Sequence, residues 1–218
     1  MKIISPSLLS CNFLNIKSEL DILENINNLW LHLDIMDGHF VPNLTFGHSI
    51  IHKITKYTKH PTDAHLMVTN PQFYIESLQT SGIFNITFHF ESCNNPKELI
   101  FLAKKHYQSV GISIKPNTDI DLLSNDVLKN IDLLLIMSVE PGFGGQKFIQ
   151  KSLDKIKYFD NLRKKNNFNF VIQVDGGIDD NNAQKIFDEG ADNLVAGSFI
   201  FNEKNNDYNK QIHKLLIE

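Results

Sequence analysis

The sequence is poor in several things that would each have sent it elsewhere. It has two cysteines, Cys11 and Cys93, in 218 residues. That is too few for a disulfide framework, and their separation is no metal-binding spacing, so a reducing cytoplasm is the expected compartment. It has a single arginine, Arg163; the rest of its 21 basic residues are lysines. No apolar run approaches the ~20 residues of a membrane span, and the opening MKIISPSLLS lacks a signal-peptide core with a cleavage site. No basic stripe accompanies the formal charge of −4, which excludes nucleic acid as an expected partner. No Pro/Ser/Gly-rich linker divides the chain, so residues 1–218 read as one domain, long enough to bury a full core. A soluble α/β enzyme is the class left standing.

What is present is a repeating pattern. Short β-branched or apolar runs at 3–6, 29–34, 62–66, 85–90, 110–114, 133–137, 170–174 and 192–196 read as eight strands. Helical spacing lies between them: Phe13, Ile16, Leu20, Leu23 and Ile26 share one face, as do Ile149, Leu153, Ile156, Phe159 and Leu162. Asn70-Pro71 and Asn95-Pro96 place proline just inside a first turn. Alternating β and α units imply a parallel sheet with right-handed crossovers, and eight of them predict a (β/α)8 TIM barrel. An open doubly wound sheet accepts the same alternation but normally carries a Gly-rich turn after the first strand, where this chain has Ser5-Pro6-Ser7.

Barrel chemistry stands at the carboxyl ends of the strands. His32 and Asp34 are two apart on the second strand and point to one side. His65 ends the third strand and Asp175 the seventh. Two imidazoles and two carboxylates converging on the mouth suit Zn²⁺ or Fe²⁺. A metal-free hydrogen-bonded network is the other reading, disfavoured by the cost of burying four ionisable groups without a cation. Gly142, Gly144 and Gly145 follow the sixth strand, Gly176 and Gly177 the seventh, and Gly197-Ser198 the eighth. Barrels commonly bind phosphate in this region through backbone N–H groups. GFGGQK is neither a dinucleotide fingerprint nor a P-loop. With the one arginine on a predicted helix, backbone capture is the economical way to hold an anion. Met36, Met67 and Met137 fall at strand ends, either filling the core or lining the reacting face. An aldolase or decarboxylase would need a lysine in the mouth; Lys115 is the only strand-end candidate, and no Asp-x-Lys-x-x-Asp array accompanies it.

The strings SPSLLSCNF, HLDIMDGHFVPNLTFG, DAHLMV, MSVEPGFGGQKF, VDGGI and VAGSFIF, in this order from Ile4 to about Phe201, resemble those of ribulose-5-phosphate 3-epimerases. The resemblance implies a TIM barrel that interconverts D-ribulose 5-phosphate and D-xylulose 5-phosphate through a 2,3-enediolate. It implies that His32, Asp34, His65 and Asp175 hold one divalent ion per subunit (Zn²⁺, or else Fe²⁺, Mn²⁺ or Co²⁺), with Asp34 and Asp175 as the acid/base pair. Ser7 and His65 would contact the sugar. Gly142, Phe143, Gly144, Gly145, Gly176, Gly177, Gly197 and Ser198 would bind phosphate and its neighbouring hydroxyl, and Met36, Met67 and Met137 would line the reaction centre. A homo-oligomer, dimer or hexamer, is expected with it. Relatives acting on six-carbon ketose phosphates such as allulose 6-phosphate share this chemistry and stay open as the alternative. Gln173, where a Glu is usual, and Phe199, where a smaller residue is usual, depart from the pattern.

Overall fold

The computed structural model describes residues 2–216. Its strands are β1 (Ile3–Pro6), β2 (Leu31–Met36), β3 (Thr62–Met67), β4 (Asn85–His89), β5 (Ser109–Ile114), β6 (Leu133–Met137), β7 (Val171–Asp175) and β8 (Asn193–Ala196). All pairs are parallel, in the ring order β1-β8-β7-β6-β5-β4-β3-β2. The last seam, β1 to β2, is made by the single bridges Ile4↔Leu29 and Ser7↔His32. That thin seam explains why the second strand starts two residues later than its apolar run: Leu29 bridges β1 alone, and the continuous ladder with β3 begins at Leu31. The helices are α1 (Ile16–Leu23), α2 (His48–Tyr57), α3 (Pro71–Ser77), α4 (Pro96–Ala103), α5 (Asn125–Leu128), α6 (Ser152–Asn166), α7 (Ala183–Asp188), α8 (Ser198–Phe201) and α9 (Tyr208–Leu216).

Two cores follow from the period of two along each strand. Leu31, Leu33 and Ile35 of β2, Ala64 and Leu66 of β3, and Ile172 and Val174 of β7 face outward and join the main core beneath the helices. The alternate positions face the barrel axis and are mostly polar: His32, Asp34, Asp63, His65, Asn85, Thr87, His89, Gln173 and Asn193 are all buried. Apolar inward positions are fewer: Leu133, Leu135 and Met137 cluster with Val139 on the β6 side, Met36 and Met67 cluster with Val41 at the ends of β2 and β3, and Val195 is buried on β8. Gly111 on β5 is dictated by this crowding, since a Cβ there would sit 2.3 Å from Thr87 Oγ1 and 3.0 Å from Leu133 Cδ2.

The Asn-Pro signals mark helix starts as expected. Asn70 Oδ1 accepts from Phe73 N–H at 3.3 Å and Asn95 Oδ1 from Glu98 N–H at 3.4 Å, each cap being worth about 1 kcal/mol. Three residues assigned to helical faces lie outside them. Ile26 falls beyond the end of α1, though it stays buried. Phe13 belongs to a 3-10 turn before α1, is 46% exposed and packs against Phe46 at 5.1 Å between ring centroids. Ile149 precedes α6 and is also largely exposed. The spacing of Phe13 and Ile149 suits a helix, but the preceding loop has not yet turned onto the sheet.

Candidate active site

The inward positions of β2, β3 and β7 deliver the central group. His32, Asp34, His65 and Asp175 each offer a ligand atom, and these atoms all lie within 4.8 Å of one another. His32 Nε2 is 3.4 Å from Asp34 Oδ1 and 3.9 Å from Asp175 Oδ2. His65 Nδ1 is 3.2 Å from Asp34 Oδ1 and 3.8 Å from Asp175 Oδ2. The Ser7 hydroxyl, at the end of β1, donates to Asp34 Oδ2 at 2.6 Å. The Asp34 main-chain carbonyl accepts from the Thr45 hydroxyl, and the Asp175 carbonyl from Ser138 N–H at 2.8 Å. Both aspartates are therefore fixed along their backbones, and Asp34 through its side chain as well.

The two carboxyls are pushed apart. Burial raises the proton affinity of both, but for Asp34 the charge of His32 and the close His65 imidazole override it and hold the group well below the usual carboxylate range. For Asp175 burial prevails, the neighbouring Asp34 charge adds to it, and the group is raised to about 6.

His32 Nε2 is completely buried and has no hydrogen-bond partner. An orphaned imidazole nitrogen facing two carboxylates is what a divalent cation would satisfy, and the mixed N/O set is that of Zn²⁺ or Fe²⁺. The residues fit a metal.

Above this group opens a cleft. Ser7, Asp34, Met36, Met67, Met137 and Asp175 line it, together with Gly142, Phe143, Gly144, Gly145, Gly176, Gly177, Gly197 and Ser198. His32 and His65 lie beneath its floor, fully buried. The glycine loops thus meet at one cavity. Gly177 has φ +65, and a Cβ there would fall 2.4 Å from Phe148 N; at Gly197 a Cβ would fall 2.5 Å from Ser10 Oγ. Close backbone approach explains both. Among the described residues, no lysine or arginine lines the cleft. Phe199, one residue past the cleft, packs onto the main core and takes the Lys214 ammonium at 5.9 Å from its ring centroid.

A layer below the histidines was not anticipated from the sequence. Asp63 Oδ2 accepts from His32 Nδ1 at 2.8 Å and from Gln173 Nε2 at 2.6 Å, while Oδ1 accepts from Asn85 Nδ2 at 2.6 Å. Despite full burial, the charge of His32 and these hydrogen bonds keep Asp63 below its ordinary value. Gln173 thereby gains a role, because a carboxylate at 173 would face the Asp63 carboxylate. On the other side, His65 Nε2 lies 2.9 Å from His89 Nε2, and His89 Nδ1 lies 3.0 Å from Glu91 Oε2. The signal was available: Asp63 is two residues before His65, and inward positions recur every second residue.

Residues 3–201 match the model of the ribulose-phosphate 3 epimerase family. The chain is 43% identical over 201 residues to a protein named ribulose-phosphate 3-epimerase, cytoplasmic isoform, of Oryza sativa subsp. japonica, covering 91% of this chain and 86% of that one. It is 41% identical over 198 residues to a ribulose-phosphate 3-epimerase of Treponema pallidum, covering 91% and 90%. Among solved structures, a mutant tryptophan synthase alpha-subunit of Pyrococcus furiosus superposes with a TM-score of 0.70 at 16% identity, over 98% of this chain and 96% of that one. This last likeness establishes the barrel fold alone.

Proposed function

The chain belongs to the ribulose-phosphate 3-epimerase family, and from that premise we propose that it interconverts D-ribulose 5-phosphate and D-xylulose 5-phosphate as a step of the pentose phosphate pathway. The observation that carries this reading is the donor set within 4.8 Å lying at the foot of a cleft walled by glycine loops. We take residues 1–218 as one catalytic domain acting in the cytoplasm on a small sugar phosphate, as a homo-oligomer. The cytoplasmic assignment draws on the name of the rice relative and on two unpaired cysteines. No helix among the described residues is long and apolar enough to cross a membrane.

Epimerisation at carbon 3 requires removal of a proton from one face and delivery of another to the opposite face. Asp34 on β2 and Asp175 on β7 rise from strands separated in the ring by β1 and β8, so two bases can flank a flat enediolate. In each direction one carboxylate must accept the carbon-3 proton while the other delivers one to the opposite face. His32, Asp34, His65 and Asp175 would hold a divalent ion, which when bound supplies Lewis-acid stabilisation of negative charge on the substrate's oxygens, worth several kcal/mol. Ser7 steadies Asp34 and faces the sugar. The buried Met36, Met67 and Met137 side chains exclude water from the reacting carbon. Backbone N–H groups of the loops at Gly142–Gly145, Gly176–Gly177 and Gly197–Ser198 hold the phosphate, with no basic side chain needed in the cleft.

Measuring turnover of ribulose 5-phosphate beside that of allulose 6-phosphate tests the assignment. Faster turnover of the five-carbon sugar is expected; the reverse order would assign the six-carbon reaction instead.

A further inference from the structure

The two histidines of the donor set are presented to it by different means. His32 is set directly. Asp63 accepts its Nδ1–H, leaving the Nε2 lone pair turned toward Asp34 and Asp175. His65 is reversed, with Nδ1 toward those aspartates and Nε2 against a second imidazole, His89 Nε2, at 2.9 Å. Two facing ring nitrogens share one proton, and that pair alone does not decide which ring owns it. The decision lies one residue further out. His89 Nδ1 is 3.0 Å from Glu91 Oε2, and a carboxylate only accepts. His89 then carries its proton on Nδ1 and offers a bare Nε2. His65 must supply the proton between the rings from its own Nε2, so in a neutral ring its Nδ1 carries none: 3.2 Å from Asp34 Oδ1, it presents to that carboxylate a lone pair that a cation between them would satisfy.

We infer that Glu91 is a positioning residue for the metal-donor set, acting through His89 to fix His65 in the Nε2–H tautomer and aim its Nδ1 lone pair at Asp34 and Asp175. This rests on the metal reading proposed above. Glu91 is itself held in one sense, because its other oxygen, Oε1, accepts from the Lys115 backbone N–H at 2.8 Å and from the Thr118 hydroxyl. A backbone N–H cannot be reversed. Both imidazoles are fully buried, and the Phe40 ring covers His89 at 4.8 Å between centroids, so bulk water does not supply a substitute acceptor.

The isosteric change Glu91→Gln separates this role from a structural one. Its amide oxygen must stay on Lys115 N–H, so its NH₂ turns to His89 Nδ1. That puts the His89 proton on Nε2, and two N–H groups cannot face each other. His65 is driven to carry its proton on Nδ1, where the metal must bind. With Zn²⁺ alone titrated into the metal-stripped full chain, we expect Glu91→Gln to bind about 10–100-fold more weakly than wild type. Nitrogen-15 histidine spectra of zinc-loaded wild type should show His65 protonated on Nε2 and His89 on Nδ1. Unchanged zinc affinity in Glu91→Gln, with or without a lower unfolding temperature, overturns the inference. So does a wild-type spectrum with His89 protonated on Nε2, which decides the matter even if the variant does not fold. A wild-type chain that takes up no Zn²⁺ overturns the metal reading itself, and this inference with it.

Discussion

Two charged clusters sit at opposite ends of this barrel, and they differ in whether their charges are matched. At the amino-terminal end, Arg163 on α6 donates to Asp160 Oδ1 at 3.0 and 3.1 Å, to both oxygens of Asp192, and to the carbonyls of Phe170 and Gly190 at 2.9 Å each. Asp192 in turn accepts from Ile172 N–H at 2.8 Å. Every guanidinium donor that points inward has an acceptor. At the carboxyl-terminal end, two aspartates and two histidines converge with His32 Nε2 unpartnered, and one carboxyl is pushed up while its neighbour is pushed down. A closed set of pairs staples β7 and β8 to α6. An open set of the same kinds of groups waits for something to complete it. Mismatch, more than charge, distinguishes the site from the staple.

The comparison breaks most severely if the open cluster needs nothing. Stripping with a strong chelator is expected to abolish epimerisation, and Zn²⁺, Fe²⁺, Mn²⁺ or Co²⁺ to restore it. Full activity in protein shown by elemental analysis to be metal-free would sink this expectation. The Arg163 cluster, already matched, should lose nothing under the same treatment, so the fold as read by circular dichroism should persist.

Next in size are the aspartates. Asp34→Asn and Asp175→Asn, assayed at saturating Zn²⁺ with metal content measured, should each lower epimerisation by roughly 10²–10⁴-fold. In deuterated water, residual exchange without inversion should be confined to opposite epimers in the two variants. Near wild-type epimerisation by either metal-loaded variant contradicts two bases and requires one mobile base or a water.

The two clusters were not equally legible in the sequence. His32-x-Asp34, His65 and Asp175 could be placed at one mouth because strand parity and the barrel rule fix direction and end, and the structure brings all four together. The strands were legible for a related reason: apolar outward positions alternate with mostly polar inward ones along β2, β3, β4, β5 and β7, while β6 reads as a continuous apolar run. Asp63, His89 and Glu91 were not, because their significance depends on which residue each meets on another strand, and neither the register of neighbouring strands, which sets Asp63 beside His32, nor contact across the barrel is visible along the chain. Gln173, for instance, reaches Asp63 across 110 positions of sequence. The Arg163 staple was legible only negatively, as an arginine placed where no phosphate would be. Its partners at residues 160 and 192 gain meaning from Gly190, whose φ of +112 and lack of Cβ let its carbonyl approach; a Cβ there would lie 2.4 Å from Asp160 Cγ.

The smallest effects sharpen the contrast by exchanging binding for stability. Gly197→Val inserts a side chain where even a Cβ would fall 2.5 Å from Ser10 Oγ, and should raise KM by about 10-fold or more, roughly 1.4 kcal/mol of binding. Arg163→Ala should leave KM within about 2-fold, since the guanidinium is committed to Asp160, Asp192 and two carbonyls at the far end. Its cost falls on the fold instead. The side chain is 15% exposed, and removing it leaves Asp160 with the Lys164 ammonium and Asp192 with the Ile172 N–H, each having lost its guanidinium partner. Breaking a fully buried pair costs about 3–5 kcal/mol, and partial access to water reduces this to about 2 kcal/mol here. For a chain of this length that corresponds to a fall in Tm of about 4–8 °C. Thermal unfolding and substrate saturation curves on the two variants should therefore separate: one shifted in KM, the other in Tm. If Arg163→Ala destroys substrate affinity while Gly197→Val is harmless, the phosphate is held by the arginine end, and the assignment of matched and unmatched clusters must be exchanged.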